Sequence, residues 1–313
     1  MTRAFVFPGQ GSQAVGMGRE LAEAFPAARE LFEEVDEALK QNLTRLMFEG
    51  PGEDLTLTEN AQPALMAVSL AALRVLQAEA GLDLAAACSF VAGHSLGEYS
   101  ALAAAGTFSV ADAARLLRTR GKAMQSAVPV GEGAMAALIG VDMDVAAEIA
   151  AEASAAGVCE TANDNAPGQV VLSGAVAAVE KAVGIAKERG ARKCVMLPVS
   201  APFHSSMLAP AAEAMQEALA GVAMKDPVVP VVANVTAEPV RDAARIRELL
   251  VEQVTATVRW REGVLAMKER GVDTVVELGA GKVLSGLVRR IDREMTGQSV
   301  GTPADIEEFV KTL

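Results

Sequence analysis

The residues that can do chemistry are few and sit at telling places. Gly93-His94-Ser95-Leu96-Gly97 follows an apolar run, Cys88-Ser89-Phe90-Val91-Ala92, and leads into Glu98-Tyr99-Ser100-Ala101-Leu102-Ala103-Ala104-Ala105, which is spaced as a helix. Strand, sharp turn and helix are the setting a nucleophile elbow needs. The turn lifts a serine hydroxyl clear of the sheet, and glycines remove side chains that would clash in so tight a bend. A helix that starts at the serine points its free N–H groups at any oxyanion formed there.

A serine of this kind needs a base, and the chain has only two histidines. His94 is adjacent to the serine and cannot easily aim its ring at that hydroxyl. His204 lies in Ser200-Ala201-Pro202-Phe203-His204-Ser205, between a strand-like run and a helix. Active-site loops occur at such places in α/β folds. No acidic residue stands out as a third member, and a histidine oriented by a backbone carbonyl is chemically sufficient. Arg115, Arg118 and Arg120 share one helical run. Helical arginines are mostly solvated. Arg120, next to Gly121 near the run's end, would grip a substrate carboxylate with two parallel hydrogen bonds if it were buried.

Two glycine-rich stretches invite a nucleotide reading that fails on context. Gly9-Gln10-Gly11-Ser12-Gln13-Ala14 loosely fits the dinucleotide pattern, but a helical segment follows where a second strand is required. Gln10, held between glycines, can instead approach the oxyanion of the serine. Gly279-Ala280-Gly281-Lys282 lacks the spacing of a phosphate loop and reads as a strand-to-helix turn.

Around these residues the chain has 313 positions, 51% hydrophobic and only 4% aromatic, so alanine, valine and leucine build the core. A net charge of −12 argues against general nucleic-acid binding. Three widely spaced cysteines suit neither a disulfide framework nor a zinc site and fit a reducing cytoplasm. The first apolar run is too short for a signal peptide, and no apolar run is expected to span a membrane. Strands are expected at 4–7, 89–92, 228–233 and 274–278, with helices at 19–38 (broken at Pro26), 61–80, 109–124, 210–219, 246–253, 264–270 and 283–291. That alternation implies a mostly parallel sheet covered on both faces. The middle of the chain changes rhythm to β-α-β-β-α-β: 134–139, 145–155, 158–162, 170–173, 175–187 and 194–197, with a turn expected at 163–168. The fold class expected is therefore α/β. A large catalytic domain of 1–129 and 199–313 takes a small domain of 130–198 as an insertion.

Taken together, these motifs resemble the malonyl-CoA:acyl carrier protein transacylase family of bacterial fatty acid synthesis. The resemblance covers Phe7 to Gln13, Gly93 to Tyr99, Arg120-Gly121-Lys122, Asn163 to Gln169, Pro198 to His204 and Glu277 to Leu284. It implies an α/β-hydrolase-like core with a ferredoxin-like small domain. It implies that Ser95 carries the malonyl ester, that His204 is base and then acid, and that the N–H groups of Gln10 and Leu96 form the oxyanion hole. Arg120 would bind the malonyl carboxylate, and the main-chain carbonyl of Gln253 would orient His204. Met124, Phe203, Asn165 and Gln169 would contact substrate. The partners implied are malonyl-CoA and acyl carrier protein, with no cofactor, no metal, no nucleic acid, no membrane and a cytoplasmic monomer. A polyketide loader remains an alternative. An esterase or phospholipase is less favoured, because no Asp-Gly-Gly or Asp-Gly-Ala turn occurs. Lys187, Arg189, Arg192 and Lys193, and separately Arg289, Arg290 and Arg293, are basic clusters that either face solvent or receive an acidic carrier.

Overall fold

The computed structural model describes residues 2–199 and 201–313. Ser200, in the segment expected to carry the base, lies outside the described residues. Among the described residues ten strands form two sheets. They are β1 (Arg3–Phe7), β2 (Phe90–Gly93), β3 (Gly133–Ile139), β4 (Cys159–Ala166), β5 (Gln169–Ala175), β6 (Lys193–Met196), β7 (Val231–Val232), β8 (Pro239–Val240), β9 (Thr274–Leu278) and β10 (Thr296–Val300).

The larger sheet has the order β10-β9-β1-β2-β7-β8. Its strands pair in parallel except for the antiparallel edge strand β8. The alternation of β1 shows why both faces are covered. Phe5 and Phe7 enter one hydrophobic cluster, and Ala4 and Val6 enter another on the opposite side. The second sheet is antiparallel with the order β4-β5-β3-β6, the spatial arrangement of a split β-α-β-β-α-β unit. Ala134, Ala136 and Leu138 of β3 pack with the helices Met143–Ala153 and Val176–Glu188, whereas Met135 turns toward the main core.

Three expectations change. The run Asn163-Asp164-Asn165 belongs to β4, not to a turn; the hairpin turns at Pro167-Gly168, where Gly168 has φ +66°. These polar residues tolerate strand geometry because they are paired outside their own sheet. Asp164 N–H donates to Val258 O at 2.9 Å and Val258 N–H to Ala162 O at 2.8 Å. The buried Asp164 carboxylate takes a two-pronged ion pair from Arg261, its closest contact at 2.8 Å. The strand expected at 228–233 is reduced to β7. The helix Thr58–Ala80 is 23 residues long and, by length and composition, apolar enough to cross a membrane, contrary to expectation. Its environment explains the composition: it is the central core helix, packed by the helices Pro26–Leu39, Leu96–Ala104 and Val110–Ser126.

Gly121 sets the closest approach in that bundle. A Cβ there would lie 2.6 Å from Glu59 Cα and 2.6 Å from Thr58 O, both backbone atoms of the core helix. Gly121→Ala must separate two helices and is expected to cost about 1–3 kcal/mol. Urea unfolding measures it; a loss under about 0.5 kcal/mol, the range of ordinary surface changes, would show that this contact is slack.

Candidate active site

Ser95 sits between β2 and the helix Leu96–Ala104 with φ 53° and ψ −110°, a conformation an L-residue rarely adopts. Gly93 and Gly97 make it possible. A Cβ on Gly93 would lie 1.9 Å from Gly97 C, and one on Gly97 would lie 2.1 Å from Phe7 O. The bend is also braced by Asn234, just past β7. Its Oδ1 accepts from Ser95 N at 2.8 Å and its Nδ2 donates to Gly93 O at 2.7 Å.

The serine hydroxyl meets two partners. Ser95 Oγ lies 2.8 Å from His204 Nε2, and Arg120 donates to it at 3.1 Å. His204 Nδ1 is 2.9 Å from Gln253 O. A proton on Nδ1 therefore donates to that carbonyl and leaves Nε2 free to accept the serine proton. His94 turns away, with Nε2 2.8 Å from Asn165 Oδ1 and its ring centroid 5.9 Å from that of Trp260. Arg120 is 1% exposed. It donates to Gln62 Oε1 at 2.9 Å and to Gln253 Oε1 at 2.8 Å, and its guanidinium stands 5.6 Å from the ring centre of Tyr99. Its Nε–H is buried and has no hydrogen-bond partner among the described residues.

These groups open into a cavity of about 380 Å³ between the two sheets. Gln10, Gln62, Ser95, Leu96, Arg120, Met124, Phe203 and His204 line it from the large-sheet side, and Met135 and Leu197 from the small-sheet side. Asn165 and Gln169 do not line it. Asn165 is engaged with His94, and Gln169 accepts from Arg290 at 2.9 Å on the exposed surface. Asn163, two residues before Asn165 on the same strand, does line the cavity. The turn Gly279–Lys282 holds no anion-ready helix end, because the buried Glu277 carboxylate already accepts from Leu284 N, Ser285 N and Ser285 Oγ. Among the described residues no cluster of three or more His, Cys, Asp or Glu side chains is placed to hold a metal ion.

A serine under a histidine and over a buried arginine suits transfer of an acyl group that carries a negative charge. Comparison with known proteins agrees. The acyl transferase domain model matches residues 4–302. The malonyl CoA-acyl carrier protein transacylase of Bacillus subtilis (strain 168) is 47% identical over 311 residues, covering 99% of this chain and 96% of the relative. The crystal structure of the acyl-carrier-protein S-malonyltransferase of Bartonella henselae is 55% identical with a TM-score of 0.98, covering 100% and 99% of the two chains. The chain belongs to the malonyl-CoA:acyl carrier protein transacylase family. Another member, a malonyl-transacylase solved in complex with a type II polyketide synthase acyl-carrier protein, is 40% identical with a TM-score of 0.96 over 100% of both chains.

Burial and charge shape the acid–base behaviour of this transacylase fold. Burial, then the nearby Arg120 charge, holds His204 down to about 3, so its ring is neutral at ordinary pH. Burial pushes Glu98 up to about 7, against hydrogen bonds from Gln253 and Asn234 and the attraction of Arg120. Glu98, Asn234 and Gln62 are site residues that sequence reasoning missed. Glu98 stood inside the quoted elbow motif, where a charged residue on an apolar helix face was the available signal. Gln62 and Asn234 left none, since nothing local marks either as buried near Ser95.

A depressed histidine pKa has a signed consequence. The neutral ring persists as pH falls below 6.5, the ordinary imidazole value, and is lost only near 3. Sulfonylation of Ser95 by an uncharged arylsulfonyl fluoride should therefore hold its rate, within about twofold, from near pH 7 to near pH 5. A drop of about 25-fold over that range, following an ordinary imidazole, would show that water reaches the ring.

Proposed function

We propose that this enzyme transfers the malonyl group from malonyl-CoA to the phosphopantetheine thiol of an acyl carrier protein through a malonyl ester on Ser95, supplying fatty acid synthesis. The observation that carries the reading is the buried Arg120, with a spare Nε–H donor, within bonding distance of the nucleophile. The names of the relatives favour the same substrates.

In the first half-reaction His204 Nε2 takes the Ser95 proton as Oγ attacks the thioester carbonyl carbon. The N–H groups of Gln10 and Leu96 receive the oxyanion, Leu96 being the first residue of a helix whose N–H groups lack intrahelical acceptors. The C–S bond breaks, and the imidazolium returns the proton to the CoA sulfur. In the second half-reaction the carrier thiol gives its proton to His204 and its sulfur attacks the ester carbonyl; the bond from that carbon to Ser95 Oγ then breaks, and the imidazolium returns the proton to Oγ. Gln253 O would keep His204 in the working tautomer throughout. Arg120 would turn from Ser95 Oγ to the malonyl carboxylate, with Met124 beside it. Phe203, lining the same cavity, would crowd a branched acyl group. The reaction draws on these side chains and needs no cofactor of its own.

The large sheet with its elbow is read as hydrolase-like, and residues 130–198 as an inserted ferredoxin-like domain; the order β4-β5-β3-β6 supports the second reading. Free Cys88, Cys159 and Cys194 support a cytoplasmic setting. Docking of an acidic carrier is proposed where the two basic clusters meet. Arg290 bonds Gln169, and β-sheet register runs from Gln169 through Ile139 to Lys193, placing both clusters along one end of the small sheet. Arg189 contributes less, being paired with Glu148 and Glu152.

Three experiments test these proposals. Ser95→Ala should abolish labelling by malonyl-CoA in intact-mass analysis. Arg120→Ala should lose about 2–5 kcal/mol of transition-state binding with malonyl-CoA and far less with acetyl-CoA. Equal losses with both substrates would assign Arg120 a structural role. Reversing charge at Lys193 and Arg290 together should raise the Michaelis constant for the carrier and flatten its salt dependence while the malonyl-CoA half-reaction persists. An unchanged carrier half-reaction would place docking elsewhere.

A further inference from the structure

Glu98 is a buried carboxylate that the proposed reaction does not use. It lies one turn after Ser95 and is 2% exposed. Its Oε2 accepts from Gln253 Nε2 at 2.8 Å and from Asn234 N at 3.2 Å. Gln253 Oε1 in turn accepts from Arg120 at 2.8 Å. One amide thus stands between a carboxylate and a guanidinium, its N–H end toward the first and its C=O end toward the second. That alignment polarises both bonds in the same sense. Among the described residues no lysine or arginine pairs with Glu98 directly, so Arg120, reached through Gln253, is its counter-charge. The same Gln253 side chain donates to Ser95 O at 2.9 Å, and its main-chain oxygen meets His204.

We propose that Glu98 is a positioning residue that holds Arg120 through Gln253 in the free enzyme and takes up a proton from solvent when the malonyl carboxylate replaces it as the counter-charge of Arg120. This rests on the reading of Arg120 as the carboxylate grip. The physical argument is one of counting. One buried guanidinium balances one buried carboxylate. Acylation brings a second carboxylate to the same guanidinium, and two like charges around one opposite charge in a poorly solvated site raise the proton affinity of one of them. The substrate carboxylate makes the direct contact with Arg120, so Glu98 is the group that is protonated. Burial already places Glu98 near the neutral range, which makes the uptake observable.

The other groups around it do not offer an equal acceptor. Tyr99, beside it on the same helix, is pushed up to about 12 and stays protonated throughout. His94 is turned to Asn165. The neighbouring elements β1, β2, β7 and Thr58–Ala80 supply Phe7, Val91, Val231 and Gln62 to the buried layer, and the helix Val110–Ser126 supplies Arg120 itself. His204 is the one rival, linked to Glu98 through Gln253, and the experiment separates the two.

The test is stopped-flow acylation of the full chain by stoichiometric malonyl-CoA in weak buffer with a pH indicator. Wild type should take up a substantial fraction of a proton per site near pH 7 and almost none near pH 5, where a carboxyl of pKa about 7 is already protonated before acylation. Glu98→Gln, which keeps an oxygen for Gln253 Nε2, should acylate without that uptake. Difference infrared spectra of wild type should show a protonated-carboxyl band appearing on acylation near pH 7, a readout that needs no variant. Undiminished uptake in Glu98→Gln would assign the proton to His204 and overturn the proposal, as would wild-type acylation with neither uptake nor band. The substrate preference of Arg120→Ala reports separately on the underlying reading: a preserved malonyl preference there defeats that reading, whereas a lost preference with no uptake defeats this inference alone.

Discussion

A full positive charge sits beneath the nucleophile with almost no access to water. Arg120 is 1% exposed, and an isolated buried charge is among the costliest things a fold can hold. Much of the surrounding construction follows from compensating it. Gln62 and Gln253 turn amide oxygens to the guanidinium, Tyr99 offers its ring, and Glu98 supplies the opposite charge one amide away. The compensation is incomplete: the Nε–H has no acceptor among the described residues. An unsatisfied buried donor costs stability, and a substrate carboxylate is the kind of acceptor that would satisfy it. The same charge also reaches His204, where it adds to burial in disfavouring the imidazolium.

The second constraint is the backbone of Ser95. Its φ of 53° persists because the bend is over-determined. Gly93 and Gly97 allow the chain to close on itself and on Phe7, and Asn234 bonds on both sides of the serine, to Gly93 O and Ser95 N. Gln253 binds Ser95 O from the other side. Asn234 N and Gln253 Nε2 both donate to Glu98. The strain and the buried charge therefore share one hydrogen-bond network, and neither can be altered without disturbing the other.

What the sequence makes legible divides along the same lines. Ser95, His204 and Arg120 stand out because their neighbours announce a turn, a loop or a helix end, and the structure brings all three within bonding distance. The periods of β1 and of the core helix were equally plain. Gln62 and Asn234 were invisible, because their importance depends on what lies opposite them 58 and 139 residues away. Asn163-Asp164-Asn165 misled for a related reason. Local propensity favours a turn, and pairing with β5, the distant Val258 backbone and Arg261 make a strand of it. Asn165 and Gln169, expected to contact substrate, belong to the β4–β5 hairpin and do not line the cavity, whereas Asn163 does.

The elbow is shared with enzymes that hydrolyse, so the orientation of the histidine bears on which acceptor succeeds. His204 is held by a neutral carbonyl, not by a carboxylate, and stands near a positive charge. Burial and the Arg120 charge weaken it as a base, and a neutral carbonyl offsets this less than a carboxylate would. A thiol with a pKa of about 8.5 yields its proton far more readily than water at about 15.7. In the attack on the serine ester a thiol therefore needs far less help from His204 than water does. On the proposed mechanism the malonyl ester would then survive until the carrier thiol enters the cavity. The Arg120 charge would both bind the acyl group and, by lowering the basicity of His204, protect the intermediate it helps to form.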